Sequence, residues 1–334
     1  MWDRSTGSFL FGSHTTRSTE QGQTMTPTFL NFPSCPAIAH LRADIAVVGV
    51  PHATPYRAGE ASHAAAAPAA LRVAIAPYAA RLGHYDFDLG GPLLGDQPTA
   101  ASAVDCGDLP GSAADPAGNR ERITAAVQGI LGANAIPVVL GGDDSVPIPV
   151  LQAYEGRGPL TIIQVDAHVD WRDDVDGERW GYSSTMRRAS EMPWVERMVQ
   201  IGIRGAGSAR PAEVSAARAW GSRIITAQEV HGQGIARVLD AVPSGASCFI
   251  TFDCDGLDPT IMPAVIAPAP GGLFYWQVVA LLRGLAERAR IVGFDLVEFV
   301  PEQDPGGRAA LAAARVVCNA VGVVARRTDR KDHF

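Results

Sequence analysis

Two short motifs place carboxylates and a histidine at spacings that suit metal binding. In the first, Asp166, His168 and Asp170 alternate with apolar residues, so in an extended chain the three side chains point to the same side. In the second, Asp253 and Asp255 alternate in the same way after the apolar run SCFITF. Two close carboxylates repel each other unless they are protonated or bridged by cations. The first motif alone is equally compatible with an acidic turn, but the two together predict a pair of metal ions bridged by a carboxylate from each motif.

A third motif, Gly141–Ser145, is ambiguous on its own. Its two glycines allow a tight turn, whereas Asp143, Asp144 or Ser145 could each cap the start of a helix. Asp258 lies directly before a proline and is interpreted as a residue that fixes a loop, not as a metal ligand.

The elements that carry these motifs alternate between short apolar runs and stretches rich in Ala, Leu and Arg. Continuous apolar runs indicate strands covered on both faces, and their alternation with helices indicates an α/β fold with a mainly parallel sheet. The predicted strands are Asp44–Val50, Ser102–Cys106, Ile136–Leu140, Leu160–Val165, Met198–Ile203, Arg223–Thr226, Ala246–Phe252 and Ile291–Leu296. The predicted helices include Glu121–Leu131, Ala212–Trp220, Ile235–Ala241 and Trp276–Arg288. Four of the strands lead into acidic segments, at the end where open parallel sheets bind ligands.

Composition divides the chain into a short extension and one domain. Residues 1–24 are rich in Ser, Thr and Gly and lack the long apolar stretch of a secretory signal. They are expected to form a disordered N-terminal extension, with a partner-binding arm as the alternative. Residues 25–334 show no internal repeat and no second composition regime, so they are expected to form a single domain.

Charge and cysteine content restrict the partners and the compartment. The net charge is −7 and there is no basic cluster, which argues against nucleic acid and anionic membranes as partners and is compatible with a small cationic substrate. The five cysteines form no C-x-x-C pair, so neither a disulfide framework nor a structural zinc site is expected, and a cytoplasmic location is predicted. No apolar run is expected to reach the length of roughly 20 residues that a helix needs to span a bilayer.

Taken together, the motifs GGDDS, DAHVD and DCDGLDP, in this order and at these intervals, resemble those of the arginase/agmatinase family of ureohydrolases. Further matches are GVPHATPYRAG and AAPAALR near the start and DLVEFVP near the end, so the resemblance covers roughly residues 44–325. It is closest to agmatinase-like members. It implies a three-layer αβα catalytic domain around a single eight-stranded, mainly parallel sheet, usually assembled as a trimer or hexamer.

The resemblance also implies a site with two divalent metal ions, Mn²⁺ or, as the alternative, Ni²⁺. Asp166 and Asp253 match the carboxylates that bridge the ions, and His168 and Asp255 match ligands of the second ion. Asp170 matches a ligand of the first ion that also hydrogen-bonds the attacking hydroxide. Such ions lower the pKa of the bridging water, so that hydroxide forms near neutral pH.

Glu298, in DLVEFVP, matches the carboxylate that receives the guanidinium group of the substrate. Attack on the guanidino or amidino carbon gives a tetrahedral intermediate, whose collapse releases urea or an amine. The implied substrate is a small cationic guanidino or amidino compound. Agmatine, guanidinobutyrate, guanidinopropionate, formiminoglutamate and a biguanide all stay open.

The chain departs from the family pattern at Asp144, where the family usually has histidine. The carboxylate oxygen is the same number of bonds from Cβ as the imidazole Nδ1, so Asp144 is a candidate ligand of the first ion. A site richer in oxygen favours hard ions such as Mn²⁺. It is also one unit more negative, which raises the pKa of bound water and favours a cationic substrate.

A second departure lies in the loop after Asp170, where the family commonly has a histidine thought to assist proton transfer. This chain has no histidine between His168 and His231. Ser183 and Ser184 take the approximate place and are candidate substrate-binding residues. A serine does not act as a general acid–base near pH 7, and loss of a proton-transfer residue typically costs about 10²–10⁴-fold in rate.

These departures leave two functional hypotheses. The first is an active homomeric enzyme, in which another group moves the proton or the substrate has a better leaving group. The second is a catalytically degenerate or regulatory subunit that assembles with an active paralogue, as in heteromeric ureohydrolases that act on biguanides such as metformin. His52 and His63, in the segment near the start of the domain, are interpreted as solvated or core-satisfied residues without a role in the site.

Overall fold

Eight strands form a single sheet in the computed structural model, which describes residues 27–57, 59–207 and 209–328. The strands are β1 (Ile45–Val50), β2 (Ala103–Asp108), β3 (Ile136–Gly141), β4 (Leu160–Val165), β5 (Val195–Ile203), β6 (Arg223–Thr226), β7 (Ser247–Asp253) and β8 (Arg290–Val297). Their order is β2-β1-β3-β8-β7-β4-β5-β6, and every adjacent pair is parallel. The sequence predicted a mainly parallel sheet, and the described sheet is parallel throughout.

Helices cover both faces of this sheet. They are α1 (Ala67–Ile75), α2 (Pro116–Gly132), α3 (Pro147–Gln152), α4 (Thr185–Ala189), α5 (Pro211–Trp220), α6 (Ala227–Gln233), α7 (Ala236–Leu239), α8 (Tyr275–Arg288) and α9 (Arg308–Thr328). Every residue of β1 and β4 is buried, as expected for strands covered on both sides. The buried side chains form two large apolar clusters. The predicted three-layer architecture is confirmed.

Helix α9 corrects one sequence-based judgement. Its segment Arg308–Arg326 has a mean hydropathy of 1.5 over a membrane-length window, so the chain does contain an apolar run of spanning length. Arg315 and Asn319 interrupt the alanines and valines of this segment, so the sequence shows no continuous apolar stretch of that length. In the structure 78% of that window is buried, and α9 packs against α1 and α8. It is therefore a largely buried helix that belongs to one of the two helical layers of the domain.

The four central strands carry the predicted site. β3, β8, β7 and β4 lie side by side, and each ends in one of the acidic segments recognised in the sequence. Chain order does not reveal this, because β7 and β8 insert between β3 and β4. The predicted extension, residues 1–24, lies outside the described residues.

A buried ion pair fixes the position of α1, which is the first α-helix after β1 in the described chain. Arg72 in α1 donates to both carboxylate oxygens of Asp105 in β2, at 2.8 and 3.0 Å, and to Asp108 Oδ1 at 2.5 Å. Arg72 is 3% exposed and Asp105 is fully buried. Asp105 also accepts from the backbone amide of Phe29 at 2.7 Å. The pair joins α1, an edge strand and the start of the described chain.

We expect Arg72→Met to destabilise the fold by roughly 3–5 kcal/mol, because it leaves a buried carboxylate without its counter-charge. Arg210→Met is the matched control. Arg210 is exposed and its ion pair with Glu213 lies on the surface, so its loss should change stability by less than about 1 kcal/mol. Chemical denaturation midpoints measure both. Equal midpoints for the two variants would contradict a stabilising role for the buried pair.

Candidate metal centre

The carboxyl ends of the four central strands bring most of the predicted ligands together. Asp166, His168 and Asp255 each offer a ligand atom, and these atoms all lie within 4.8 Å of one another. Asp144, Asp166 and Asp170 form a second group with the same property. Because Asp166 belongs to both groups, its carboxylate lies where it could bridge two neighbouring ions.

Asp253 lies beside these groups without belonging to either. It is 4% exposed, and its Oδ1 accepts a hydrogen bond of 2.7 Å from the backbone amide of Asp255. Its charge interacts with those of Asp166, Asp144 and Glu298. The side chain therefore faces the cluster, and its bridging role stays a prediction.

Burial of several carboxylates together dominates the electrostatics. Loss of hydration, followed by the charges of neighbouring carboxylates, raises the pKa of Asp144, Asp166 and Asp170 well above the usual range. The same two causes raise the pKa of Asp253. Buried like charges cannot all ionise without a compensating cation, so the arrangement favours either bound protons or bound metal ions.

His168 and Asp255 behave differently because they face each other. Burial alone would raise the pKa of Asp255, but the His168 ring, with Nδ1 2.9 Å from Asp255 Oδ2, lowers it below its usual value. Burial lowers the pKa of His168, and the hydrogen bond and charge of Asp255 outweigh this and raise it. Asp255 Oδ1 is held by the backbone amide of Ala167 at 3.0 Å.

Asp144 has the surroundings of a metal ligand. Its Oδ2 is buried and has no hydrogen-bond partner, although its carboxylate offers an atom to the group with Asp166 and Asp170. It does not cap the next helix, because α3 has Val146 at its N-cap and no side-chain cap. A buried carboxylate oxygen without a donor is costly unless it is protonated or bound to a cation. The donor set of carboxylates and one imidazole fits a hard divalent ion such as Mn²⁺.

The backbone is constrained where two of the site residues stand. Asp170 has φ 45° and Glu298 has φ 65°. These values lie in the left-handed region, which residues other than glycine rarely adopt. The amide of Glu298 donates to the carbonyl of Gly142 at 2.9 Å. A Cβ on Gly142 would lie 2.6 Å from the carbonyl oxygen of Pro51. Only glycine fits there, which explains the glycine pair of the third motif.

A chain of buried amides, which was not predicted from the sequence, orients the carboxylates of Asp166 and Asp170. Gln164 Nε2 donates to Asp166 Oδ2 at 2.6 Å and to Asp170 Oδ2 at 2.7 Å. Gln200 Nε2 in turn donates to Gln164 Oε1 at 2.6 Å, and Ser222 Oγ donates to Gln200 Oε1 at 2.7 Å. Both glutamines are buried. The signal available in the sequence was a glutamine inside each of the largely apolar runs 160–165 and 198–203.

Asp258 has the loop-fixing role expected from the sequence. Its carboxylate accepts hydrogen bonds from the backbone amides of Thr260, Gly271 and Gly272 at 2.9–3.1 Å. It does not belong to either group of potential ligands. The third acidic residue of DCDGLDP therefore closes the loop after β7.

Arg204 supports the same loop, and no sequence motif pointed to it. Its guanidinium donates to the carbonyl oxygens of Asp255 at 2.6 Å, Leu257 at 3.1 Å and Ala269 at 2.7 Å. The residue follows β5, next to β4 in the sheet. It fixes the backbone that carries Asp255 and contributes a positive charge near the acidic cluster.

Glu298 lies at the edge of the cluster, and its two carboxylate oxygens have different partners. Oε1 accepts from the backbone amide of Asp144 at 2.8 Å, and Oε2 lies 2.6 Å from His63 Nε2. The Tyr182 ring stands edge-on to the His63 ring at 5.4 Å. His63 is thus hydrogen-bonded, as its interpretation as a satisfied histidine allows, but its partner is a candidate site residue, which the sequence did not indicate. The contact joins residues 235 positions apart, which local sequence cannot indicate.

The two serine candidates have different surroundings. The backbone amide of Ser183 donates to the hydroxyl of Tyr56 at 2.8 Å, and its side chain is partly buried. Ser184 is fully buried and its Oγ has no hydrogen-bond partner. Full burial does not favour direct contact between Ser184 and a substrate, whereas contact with Ser183 stays a prediction.

Comparison with known proteins agrees with this geometry. A family model described as Arginase family matches residues 43–322. Proclavaminate amidinohydrolase of Streptomyces clavuligerus is 31% identical over 301 residues, which cover 87% of this chain and 90% of that protein. Its solved structure matches with a TM-score of 0.76 at 29% identity and covers 90% of this chain and 98% of that chain.

Two further relatives share parts of the sequence or the fold. Guanidinobutyrase of Pseudomonas aeruginosa is 33% identical over 207 residues, which cover 59% of this chain and 64% of that protein. The crystal structure of Trypanosoma cruzi formiminoglutamase with Mn²⁺ has a TM-score of 0.74 at 22% identity, covering 90% of this chain and 99% of that chain. At that identity the likeness concerns the fold alone.

We expect Gln164→Leu to weaken divalent metal binding about 10–100-fold, because the amide that orients two ligand carboxylates is lost. Gln233→Leu, on an exposed position of α6, is the control and should leave affinity unchanged. Calorimetric titration of each purified variant with Mn²⁺ makes the comparison. Unaltered affinity in a folded Gln164→Leu protein would show that the amide chain does not position the ligands.

Proposed function

The chain belongs to the arginase family, and we propose that it is a metal-dependent hydrolase that cleaves a C–N bond of a small cationic guanidino or amidino compound and releases urea or an amine. The observation that carries the proposal is the juxtaposition of two ligand groups sharing Asp166 with Glu298, which is hydrogen-bonded to the backbone of Asp144. This arrangement supports a site in which candidate metal ligands lie beside a candidate guanidinium-binding carboxylate.

Two divalent ions would be held by residues that already face each other. We propose Asp144, Asp166 and Asp170 for one ion and Asp166, His168 and Asp255 for the other, with Asp253 as the second bridge. When bound, the ions would supply Lewis-acid chemistry that makes hydroxide available from water near neutral pH. Mn²⁺ is the preferred ion because the donors are mostly carboxylate oxygens, and Ni²⁺ is the alternative.

The protein side chains position the substrate and the attacking oxygen. Glu298 would receive the guanidinium, since each carboxylate oxygen has one hydrogen-bond partner in the structure and retains a further lone pair. A charge-assisted contact of this kind binds and orients the planar cation. Asp170 would accept a hydrogen bond from the attacking oxygen and direct it at the guanidino carbon.

We propose an agmatinase-like linear compound as the substrate. The names of the relatives, proclavaminate amidinohydrolase and guanidinobutyrase, support a compound with an amidino or guanidino group. The Tyr182 ring packs against His63, which contacts Glu298, and the Tyr56 and Tyr182 ring centroids are 4.4 Å apart. These two rings would contact the apolar part of such a substrate. A homo-oligomer and a cytoplasmic location, the latter supported by five free thiols, complete the proposal.

The alternative of a degenerate subunit is not favoured. A subunit relieved of catalysis would be free to lose ligands, yet the carboxylates and His168 are present, buried or partly buried, and close together. The amides that orient them are present as well.

The purified protein should bind about two Mn²⁺ or Ni²⁺ ions per chain and release urea or an amine from at least one guanidino or amidino compound. Asp253→Asn should abolish turnover, since one bridging charge is lost. Glu298→Gln should mainly raise KM, because the amide keeps the shape of the carboxylate and loses the charge–charge contact. Metal analysis and a screen of guanidino compounds test both. Activity that appears only on co-expression with a paralogue, and survives Asp253→Asn, would contradict the proposal.

Asp144→His should bind the first metal at least as tightly as the parent protein, because imidazole reaches the same position. Asp144→Ala should lose about one ion per chain. The comparison removes or replaces one donor while the rest of the site is kept. Metal content by elemental analysis, with thermal melting as a check on folding, measures the outcome. Equal metal content in both variants and the parent would exclude Asp144 as a ligand.

A further inference from the structure

We propose that His63 donates the proton to the leaving nitrogen, the role for which the loop after Asp170 has no histidine. This inference rests on the proposed function. It assigns a catalytic residue to the segment between β1 and α1, which none of the metal motifs includes.

The imidazole of His63 lies next to the carboxylate that borders the cluster of candidate metal ligands. His63 Nε2 lies 2.6 Å from Glu298 Oε2, and the other oxygen of Glu298 accepts from the backbone amide of Asp144 at 2.8 Å. Asp144 in turn shares a ligand group with Asp166 and Asp170. One side chain therefore separates the imidazole from the carboxylate cluster. A guanidino nitrogen held by the second lone pair of Oε2 would lie beside Nε2.

The segment that carries His63 and the loop after Asp170 reach the same rim of the site. Tyr56 accepts a hydrogen bond of 2.8 Å from the backbone amide of Ser183, and a Cβ on Gly181 would lie 2.1 Å from the Tyr56 ring. The Tyr182 ring packs against both Tyr56 and His63. His63 thus enters, from another part of the chain, the region that the serine-containing loop borders.

Exposure of the ring suits a residue that must exchange protons. The His63 side chain is 24% exposed, whereas that of Glu298 is 5% exposed. One side of the imidazole therefore faces the buried carboxylate and the other reaches solvent. A donor that has lost its proton can be re-protonated from water without opening the site.

Other groups near Glu298 are poor proton donors at neutral pH. Burial raises the pKa of Tyr56 to about 12, and burial together with the charge of Glu298 raises that of Tyr182. His168 is engaged with Asp255. A serine hydroxyl does not titrate in this range. Among the residues that the structure describes around this rim, His63 has the suitable chemistry.

The charges around His63 favour its protonated form. Burial lowers its pKa, but the hydrogen bond and charge of Glu298 outweigh burial, and the charges of Asp143 and Glu60 add to the increase. The net pKa therefore lies above the usual value of a histidine. Because the protonated form is present below that pKa, the increase widens the pH range in which His63 carries a transferable proton.

The proposed step balances in atoms and charge. Addition of a water-derived hydroxide forms a C–O bond at the guanidino carbon. The C–N bond then breaks, and its electron pair goes to the leaving nitrogen, which takes the Nε2 proton of His63 as it departs. Without this proton the leaving group would be a deprotonated amine, RNH⁻, which is too basic to depart. The amine leaves neutral, and the hydroxyl of the intermediate loses its proton to water as the C=O bond of urea, or of the corresponding amide, forms. Water returns a proton to the imidazole through its exposed side, and the free amine takes up the proton that water released when it gave hydroxide.

The test compares His63→Gln with the parent enzyme loaded with the metal that supports turnover. Glutamine keeps a hydrogen-bond donor toward Glu298 but cannot titrate. We expect kcat to fall about 10²–10⁴-fold with KM changed far less. The alkaline decline in kcat caused by deprotonation of His63 should disappear in the variant, and added imidazole should restore part of the rate. His84→Gln, at an exposed position, is the control and should match the parent.

A second readout separates proton donation from positioning of Glu298. Compounds whose leaving amine is less basic need less protonation, so the loss in His63→Gln should shrink as the leaving group improves. A uniform loss across leaving groups, a loss confined to KM, or an unchanged pH profile would overturn the inference. If the parent enzyme turns over no guanidino compound, the proposed function fails as well. Retained turnover with an unaffected His63→Gln variant refutes the role of His63 alone.

Discussion

Mutual repulsion of buried carboxylates is the constraint on which the rest of the site depends. Asp144, Asp166 and Asp170 are each at most 5% exposed, and burial together with their neighbours' charges raises their pKa values. A fold with no use for cations would gain stability by replacing such residues with apolar ones. Their joint presence at the carboxyl ends of β3 and β4 is therefore evidence for function.

The surrounding structure counteracts this repulsion with donors and rigid backbone. Gln164 holds one oxygen on each of two carboxylates, and Arg204 braces the loop that carries Asp255. Left-handed backbone at Asp170 and Glu298 costs conformational energy. That cost is sustained because β-strands on both sides fix the chain direction, and because Gly142 lets β3 approach the neighbouring backbone closely.

Local patterns predicted the features that depend on local spacing. Buried strands appeared as continuous apolar runs; β4 and β6 have the predicted ends, and the largest displacement is at β5, which begins at Val195 instead of Met198. Asp166 and His168 lie close together, as their spacing predicted, although β4 ends at Val165 and the chain bends after it instead of staying extended. The relay from Ser222 through Gln200 to Gln164 crosses three strands, so it depends on strand order, which the sequence does not state. The contact of His63 with Glu298 depends on the return of β8 to the centre of the sheet, and local sequence contains no signal for it.

The two departures from the family pattern have related physical consequences. Replacing histidine by Asp144 removes a neutral donor and adds a negative charge to a cluster that is already strongly acidic. A more negative cluster holds cations more strongly, and it also raises the pKa of nearby groups that can carry a proton. Glu298 and Asp143 have this effect on His63, and the Tyr182 ring packed against the imidazole keeps it facing Glu298. A histidine supplied by the segment between β1 and α1 is thus compatible with the loss of one from the loop after Asp170, because the acidic surroundings favour the protonated form of the imidazole beside Glu298, where the proposed proton transfer takes place.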